Sequence, residues 1–263
     1  MASDDLHSLT LVLSSARSGS SLLCRDLRSL GGLGFPKEYL TGLDRQAREE
    51  PVSEKHVLER LARGCQDDAP GVAATKLMTS QAGFTYQALV GHAAPDRSEA
   101  LPRVISWARE RFDRVFVVFL VRNALDQAIS RVVAESTGVY HSTDPAFRKS
   151  ADATAATGDL NAEILLRLPW AYRERSALLA AHAAHADIGL LVTYEELTRH
   201  VDETTSRLVA HARAAGFQVR TEVATRNLQK VISPERSSRI RESFLEYLRT
   251  ETRAASEHLV TGT

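Results

Sequence analysis

A parallel α/β sheet covered by helices on both faces is the architecture this sequence predicts, and three observations predict it. Short apolar runs rich in β-branched residues alternate with amphipathic segments of helical period along the chain. Those runs are continuous rather than alternating in apolar residues, as strands buried on both faces require. Across 263 residues there is no internal repeat, low-complexity tract or Pro/Gly-rich linker, so one domain over residues 1–263 is the simplest organisation.

The elements follow in order. Residues 9–13, Leu-Thr-Leu-Val-Leu, read as the first strand, and in residues 20–30 Leu22, Leu23, Leu27 and Leu30 form one helical stripe. Residues 71–78 form the second strand. The run Arg114-Val115-Phe116-Val117-Val118-Phe119-Leu120-Val121 is the strongest strand and is predicted to be central. Residues 187–193 form the fourth. Helices are predicted over residues 53–63, 81–91, 99–112, 125–137, 161–185 and 203–215. A last one over 234–256 opens on Ser233-Pro234, a cap followed by a proline at the first turn.

Composition sets limits on function. Lysine plus arginine and aspartate plus glutamate both number 33, so no overall field favours nucleic acid or an anionic membrane, and a polyanion site must be local. Cys24 and Cys65 are too few for a zinc cluster or a disulfide framework, and Cys24 reads as a small buried hydrophobe. The acidic start Met1-Ala2-Ser3-Asp4-Asp5 precedes an apolar run too short for a signal peptide or a membrane span, which predicts a soluble, cytoplasmic protein.

Between the first strand and the first helix lies Ser14-Ser15-Ala16-Arg17-Ser18-Gly19-Ser20-Ser21. The first N–H groups of a helix lack intrahelical partners and the helix dipole is positive there, so a small-residue turn with serine hydroxyls and one cation can hold a phosphate. A serine-capped turn with a solvated arginine is the other reading of the same octapeptide. A second site follows the central strand. Arg122 emerges at its carboxyl end, where open α/β sheets bind ligands, and Ser130 follows eight positions later on the next helix. A guanidinium fork with a hydroxyl makes a phosphate clamp. The plainer alternative is a surface ion pair of Arg122 with Asp126 and a neutral Ser130. Leu125, Ile129, Val132 and Val133 are expected to face the sheet.

Two separate phosphate-holding elements imply a ligand with two phosphate-like groups. Here the chain resembles the sulfotransferases that use 3′-phosphoadenosine 5′-phosphosulfate (PAPS), and within them the bacterial trehalose 2-sulfotransferase-type family. The resemblance is carried by Arg17-Ser18-Gly19-Ser20-Ser21-Leu22-Leu23, Pro36-Lys37-Glu38-Tyr39-Leu40, Lys76-Leu77-Met78, Gln127-Ala128-Ile129-Ser130 and Thr137-Gly138-Val139-Tyr140-His141, with an echo in Leu228-Gln229-Lys230. It implies a P-loop-like three-layer fold in which Arg17, Ser18, Gly19, Ser20 and Ser21 hold the 5′-phosphosulfate, and Arg122 and Ser130 hold the 3′-phosphate. Glu38 then falls on the proposed general base. Lys76 stands at a strand end where it could meet the sulfuryl group or the acceptor, and Arg226 and Lys230 could close over the nucleotide. His141 is the rival base, since histidine serves in many other sulfotransferases and titrates near neutrality.

The chemistry so implied is in-line attack by a hydroxyl of a small acceptor, a carbohydrate or other natural product, with negative charge building on the departing bridging oxygen. Arg17 and the N–H groups near it are placed to meet that charge, so no metal is called for. The family resembled includes dimers, which makes a homodimer compatible with the reading. A P-loop kinase or NTPase would need Gly-x-x-x-x-Gly-Lys-Ser/Thr, which the turn lacks. A non-catalytic nucleotide-binding protein of the same fold would tolerate loss of Glu38. Tyr194-Glu195-Glu196-Leu197 reads as a first helical turn with carboxylates at its start, Trp107 and Trp170 as core, and His182 with His185 as a solvated helix face.

Overall fold

Apolar periodicity and strand pairing agree closely in this protein. The computed structural model describes residues 5–43, 46, 52–66, 69–90, 97–140, 160–220 and 234–261. Among them the elements run β1 (Ser8–Ser14), α1 (Ser20–Leu30), α2 (Glu54–Ala62), β2 (Val72–Met78), a 3-10 turn (Thr79–Gln81), α3 (Ala82–Val90), α4 (Arg97–Arg111), β3 (Arg114–Val121), α5 (Ala124–Thr137), α6 (Asn161–Ala184), β4 (Gly189–Thr193), α7 (Tyr194–Arg199), α8 (Val201–Ala214) and α9 (Pro234–Thr261). The expected elements are present with ends shifted by a few residues, as fraying termini allow.

The chain divides into two compact units, residues 1–122 with 174–226 and residues 123–173 with 227–263. The first unit holds the four-stranded sheet in the order β2-β1-β3-β4, every pair parallel. β3 and β1 are the inner strands, and side-chain alternation sorts them cleanly. Leu9, Leu11, Leu13, Val117, Phe119 and Val121 face one core with Ala73, Leu77 and residues from α2, α3, α4 and the second half of α6. Val12, Phe116, Val118 and Leu120 face the other with Leu23, Leu27 and Leu30 of α1 and Leu208 and Ala212 of α8. The unit is therefore three-layered, helix on sheet on helix, the P-loop-like arrangement. Each fully buried Leu, Val or Phe contributes about 1.5–3 kcal/mol relative to exposure.

The second unit is helical. Ala128, Ile129, Val132 and Val133 of α5 form its core with Ile164 and Ala171 of α6 and Phe244 of α9. This corrects the expectation that the α5 stripe faces the sheet: its partners are helices, because α6 and α9 present matching apolar positions. Asn123 caps α5, its side-chain oxygen accepting from the Leu125 and Asp126 N–H groups. Asp126 pairs with Arg241 on α9. Glu135 accepts from Arg131 at 2.8 Å and Arg167 at 3.0 Å. Partial burial pushes the Glu135 carboxyl up, but these two guanidinium partners outweigh it and hold it below the ordinary carboxylate value.

Two side-chain expectations change. Trp107 and Trp170 are only half-buried, the first donating to Glu54 Oε1 at 2.9 Å and the second lying under Arg131 at 4.1 Å. His185 is buried with Nε2 3.1 Å from the Pro102 carbonyl, and the His182 ring packs edge-on to Phe119, so neither belongs to a solvated face. Among the described residues no helix is long and apolar enough to cross a membrane, and no group of three or more His, Cys, Asp or Glu is placed to hold a metal ion.

Candidate active site

Strand order locates the site. The chain leaves β1 toward β2 on one side and leaves β3 toward β4 on the other, so the crossovers diverge between β1 and β3 and open a crevice at the carboxyl edge. Register brings Ser14 level with Met78 and Leu120, and Val121 level with Thr193. The turn after β1, Arg122 and Tyr194 therefore all lie along this one edge.

The turn is held in an uncommon conformation. Arg17 has φ +65°, alone among the described non-glycine residues in being positive. A left-handed backbone costs a side-chain-bearing residue about 1–2 kcal/mol, so something must hold it. Arg122 Nη1 donates to the Arg17 carbonyl at 2.9 Å, and Ser18 Oγ donates to the Ser15 carbonyl at 2.8 Å. Gly19, at φ +91°, is the N-cap of α1 and brings no side chain to cap it. The serine-capped reading of the octapeptide is thus not what the chain adopts: glycine takes the cap position and Ser18 folds back on the turn. A glycine cap leaves room for an anion at a helix start.

Tyr194 closes the group from β4. Its ring lies 4.3 Å from the Arg122 guanidinium carbon. A Cβ added to Gly19 would lie 2.3 Å from Tyr194 Cδ2, so only glycine fits there. Glu195 and Glu196 do occupy the first turn of α7, and Glu196 forms a capping box with Thr193 while pairing with Arg207 at 3.1 Å. Burial raises the Glu196 carboxyl, but the Thr193 N–H and hydroxyl and the Arg207 charge prevail and hold it low.

Glu38 reaches the same edge from outside β2. The Gly-rich connector after α1 packs on β2, with Phe35 N–H donating to the Gly64 carbonyl at 2.8 Å. A Cβ on Gly34 would lie 2.7 Å from that of Ala74, which explains the glycine. The Lys37 carbonyl then accepts from Lys76 N–H at 2.8 Å and from Thr75 Oγ1 at 3.2 Å, covering the edge of the strand. Glu38 Oε1 pairs with Lys76 Nζ at 2.8 Å. The Lys76 side chain is 9% exposed against 41% for Glu38, so a buried ammonium meets a carboxylate open to solvent. A lysine on a buried strand is costly unless paired, and Lys76 is paired. Thr41 Oγ1 lies 3.4 Å from Glu38 Oε2, and Gln81 and Arg60 hold Thr41 at 2.9 and 2.7 Å. Cys24 on α1 is buried, and burial pushes its thiol up to about 12, against a smaller opposing pull from Lys76.

The structure thus joins Arg17 to Arg122, and Glu38 to Lys76, in the first unit. Ser20 and Ser21 open α1, and Ser130 lies on the buried face of α5 in the second unit. His141, Arg226 and Lys230 lie outside the described residues, as does Leu228-Gln229-Lys230. Sequence reasoning missed the part played by Tyr194, although its position directly after a strand was a signal. It also missed the buried Glu174 of α6, which accepts from the Thr79 hydroxyl just past β2.

A parallel sheet whose first strand runs through a left-handed turn into a helix, with arginine beside it, is the P-loop-like arrangement. The family profile "Stf0 sulphotransferase" matches residues 10–243, so the chain belongs to the Stf0 sulfotransferase family and is a PAPS-dependent sulfotransferase. Among solved structures, the chain is similar to a sulfotransferase from Alicyclobacillus acidocaldarius at 13% identity, covering 90% of this chain and 91% of that one with a TM-score of 0.44. It is also similar to mouse sulfotransferase SULT7A1 complexed with PAP, at 14% identity over 97% and 92% of the two chains with a TM-score of 0.45. A third is the sulfotransferase domain of the Synechococcus PCC 7002 olefin synthase, at 17% identity over 79% and 74% with a TM-score of 0.40. No curated protein matches the chain. The family assignment rests on the match over residues 10–243.

Proposed function

We propose that this enzyme moves the sulfuryl group of PAPS to a hydroxyl of a small acceptor, a carbohydrate or other natural product, with Glu38 as general base. The observation that carries the reading is the Glu38–Lys76 pair at 2.8 Å, which ties a solvent-open carboxylate to β2, the strand paired with β1. The acceptor oxygen attacks sulfur, its proton passes to a Glu38 oxygen, and the bond between sulfur and the 5′-phosphate oxygen breaks. Arg17 and the N–H groups of Ser18, Gly19, Ser20 and Ser21 receive the charge on the departing oxygen, and Lys76 keeps Glu38 in place. Arg122 and Ser130 take the 3′-phosphate, supported by their spacing of eight in the sequence and by the place of Arg122 just past β3. His141 is the alternative base, and Arg226 and Lys230 are assigned to the nucleotide on the sequence alone.

The reading includes one catalytic domain of residues 1–263. It is supported by the interleaving of the two units, each built from two separate stretches of chain. Cytoplasmic location and a homodimer complete it. The test is incubation with PAPS and a panel of sugars and phenols, with and without EDTA. Transfer to a sugar hydroxyl that survives EDTA and is lost in Glu38→Gln supports the reading. Transfer retained by Glu38→Gln and lost in His141→Ala moves the base to His141, and transfer abolished by EDTA overturns the metal-free scheme.

A further inference from the structure

Arg122 has a second duty visible in the first unit, independent of any 3′-phosphate. Its Nη1 holds the carbonyl of Arg17, the described residue whose backbone most needs holding at φ +65°. Its guanidinium carbon sits 4.3 Å over Tyr194, and the same ring presses on Gly19, where an added Cβ would come within 2.3 Å of Cδ2 and 2.6 Å of Cε2. The ring itself stands on a braced helix start. Thr193 N–H donates to Glu196 Oε2 at 2.8 Å, Glu196 N–H donates to Thr193 Oγ1 at 3.1 Å, and Thr198 Oγ1 donates to the Tyr194 carbonyl at 3.0 Å. Tyr194 thus touches the turn at Gly19 and, through Arg122, at Arg17.

We propose that Arg122 and Tyr194 are positioning residues for the Arg17 turn, coupling the two ends of the donor: the grip on its 5′ end depends on Arg122 even when the ligand has no 3′-phosphate. This rests on the reading that the turn takes the 5′ end. A guanidinium that only bound the 3′-phosphate would leave a ligand lacking that group unaffected. One that also holds a strained carbonyl cannot be removed without letting the turn relax and misdirecting the N–H groups of Gly19 and Ser20.

Calorimetric titration separates the two cases with adenosine 5′-phosphosulfate, which carries the donor's 5′ end without the 3′-phosphate, beside 3′-phosphoadenosine 5′-phosphate. Arg122→Ala is expected to weaken adenosine 5′-phosphosulfate about tenfold, the loss of one hydrogen bond to a strained group. Tyr194→Leu is expected to weaken it about fivefold with an unchanged melting curve, and Tyr194→Phe, which keeps the ring on Arg122, to weaken it clearly less than Tyr194→Leu. Equal affinity for adenosine 5′-phosphosulfate in wild type, Arg122→Ala and Tyr194→Leu overturns the coupling while leaving the proposed function intact. Should Arg122→Ala fail to fold, Tyr194→Leu against Tyr194→Phe decides alone. A wild-type protein that binds neither ligand overturns the proposed donor and this inference with it.

Discussion

Arginine stands at both ends of β3, and the two ends use it differently. At the amino end Arg114 Nε donates to the buried Ser8 hydroxyl at 2.9 Å and Nη1 to the Gly216 carbonyl at 3.0 Å, while Nη2 lies 3.0 Å from His7 Nδ1. It ties β1, β3 and the turn after α8 into one rim. At the carboxyl end Arg122 holds the carbonyl of a strained turn and lies on an aromatic face. A parallel sheet has strand-to-helix loops at its carboxyl edge alone, so helix N-termini and diverging crossovers gather there and attract ligands. One edge therefore ties strands and a turn together, and the other carries the turn and arginine proposed to meet the donor.

The largest break in that symmetry is expected in turnover. Glu38→Gln should lower the rate of sulfuryl transfer about a hundredfold or more, the usual contribution of a general base, with affinity for 3′-phosphoadenosine 5′-phosphate changed by about twofold at most. Steady-state kinetics and calorimetry on the same samples check it.

The two arginines can then be set against each other directly. Arg122→Ala should weaken 3′-phosphoadenosine 5′-phosphate about thirtyfold through loss of a charge-assisted clamp, with little change in melting temperature. Arg114→Ala should leave that affinity alone and destabilise the fold by about 1–3 kcal/mol, because the buried Ser8 hydroxyl loses its donor. Chemical denaturation distinguishes them, and a thirtyfold affinity loss in Arg114→Ala would erase the contrast.

Acid sensitivity sharpens the comparison on a smaller scale. Glu196, which braces the helix carrying Tyr194, and Glu135 in the second unit both titrate below the ordinary value of 4.5. A carboxyl whose folded value is depressed stabilises fully above its unfolded value and loses that contribution as pH falls through the folded one. Stability should thus decline below about pH 4.5, and Glu196→Gln or Glu135→Gln should each flatten the decline by under about 1 kcal/mol, since both carboxylates are partly exposed. The least effect concerns Cys24: with its thiol pushed up to about 12 by burial, alkylation of the native protein near neutral pH should spare it, as mass spectrometry would show.

Legibility of the fold followed the range of the interactions involved. β3 was readable because seven successive apolar residues after Arg114 suit a strand buried on both faces, and α1 because its leucines recur at helical spacing. The α5 stripe was readable as apolar but not as to its target, since facing α6 and α9 depends on segments far along the chain. Likewise Asp126 stands four positions from Arg122, yet pairs with Arg241. In the candidate site, Arg17 and Arg122 announced themselves by chemistry and by following strands, Lys76 by its place in β2, and Glu38 only through the resemblance carried by Pro36-Lys37-Glu38-Tyr39-Leu40. Tyr194 did not, because its role exists only where β4 ends level with β3.

Local pattern by itself therefore determined the alternation of strands and helices, the small-residue turn after β1 and the residue types able to meet two phosphate-like groups. Tertiary structure alone decided that Lys76 closes on Glu38, that no serine caps α1, and that Arg122 and Tyr194 brace the Arg17 turn. The division has a physical cause. Helical period and continuous apolar runs act over a few residues, whereas a salt bridge or a stacked ring requires two distant segments to arrive at one point, which strand order and register alone arrange.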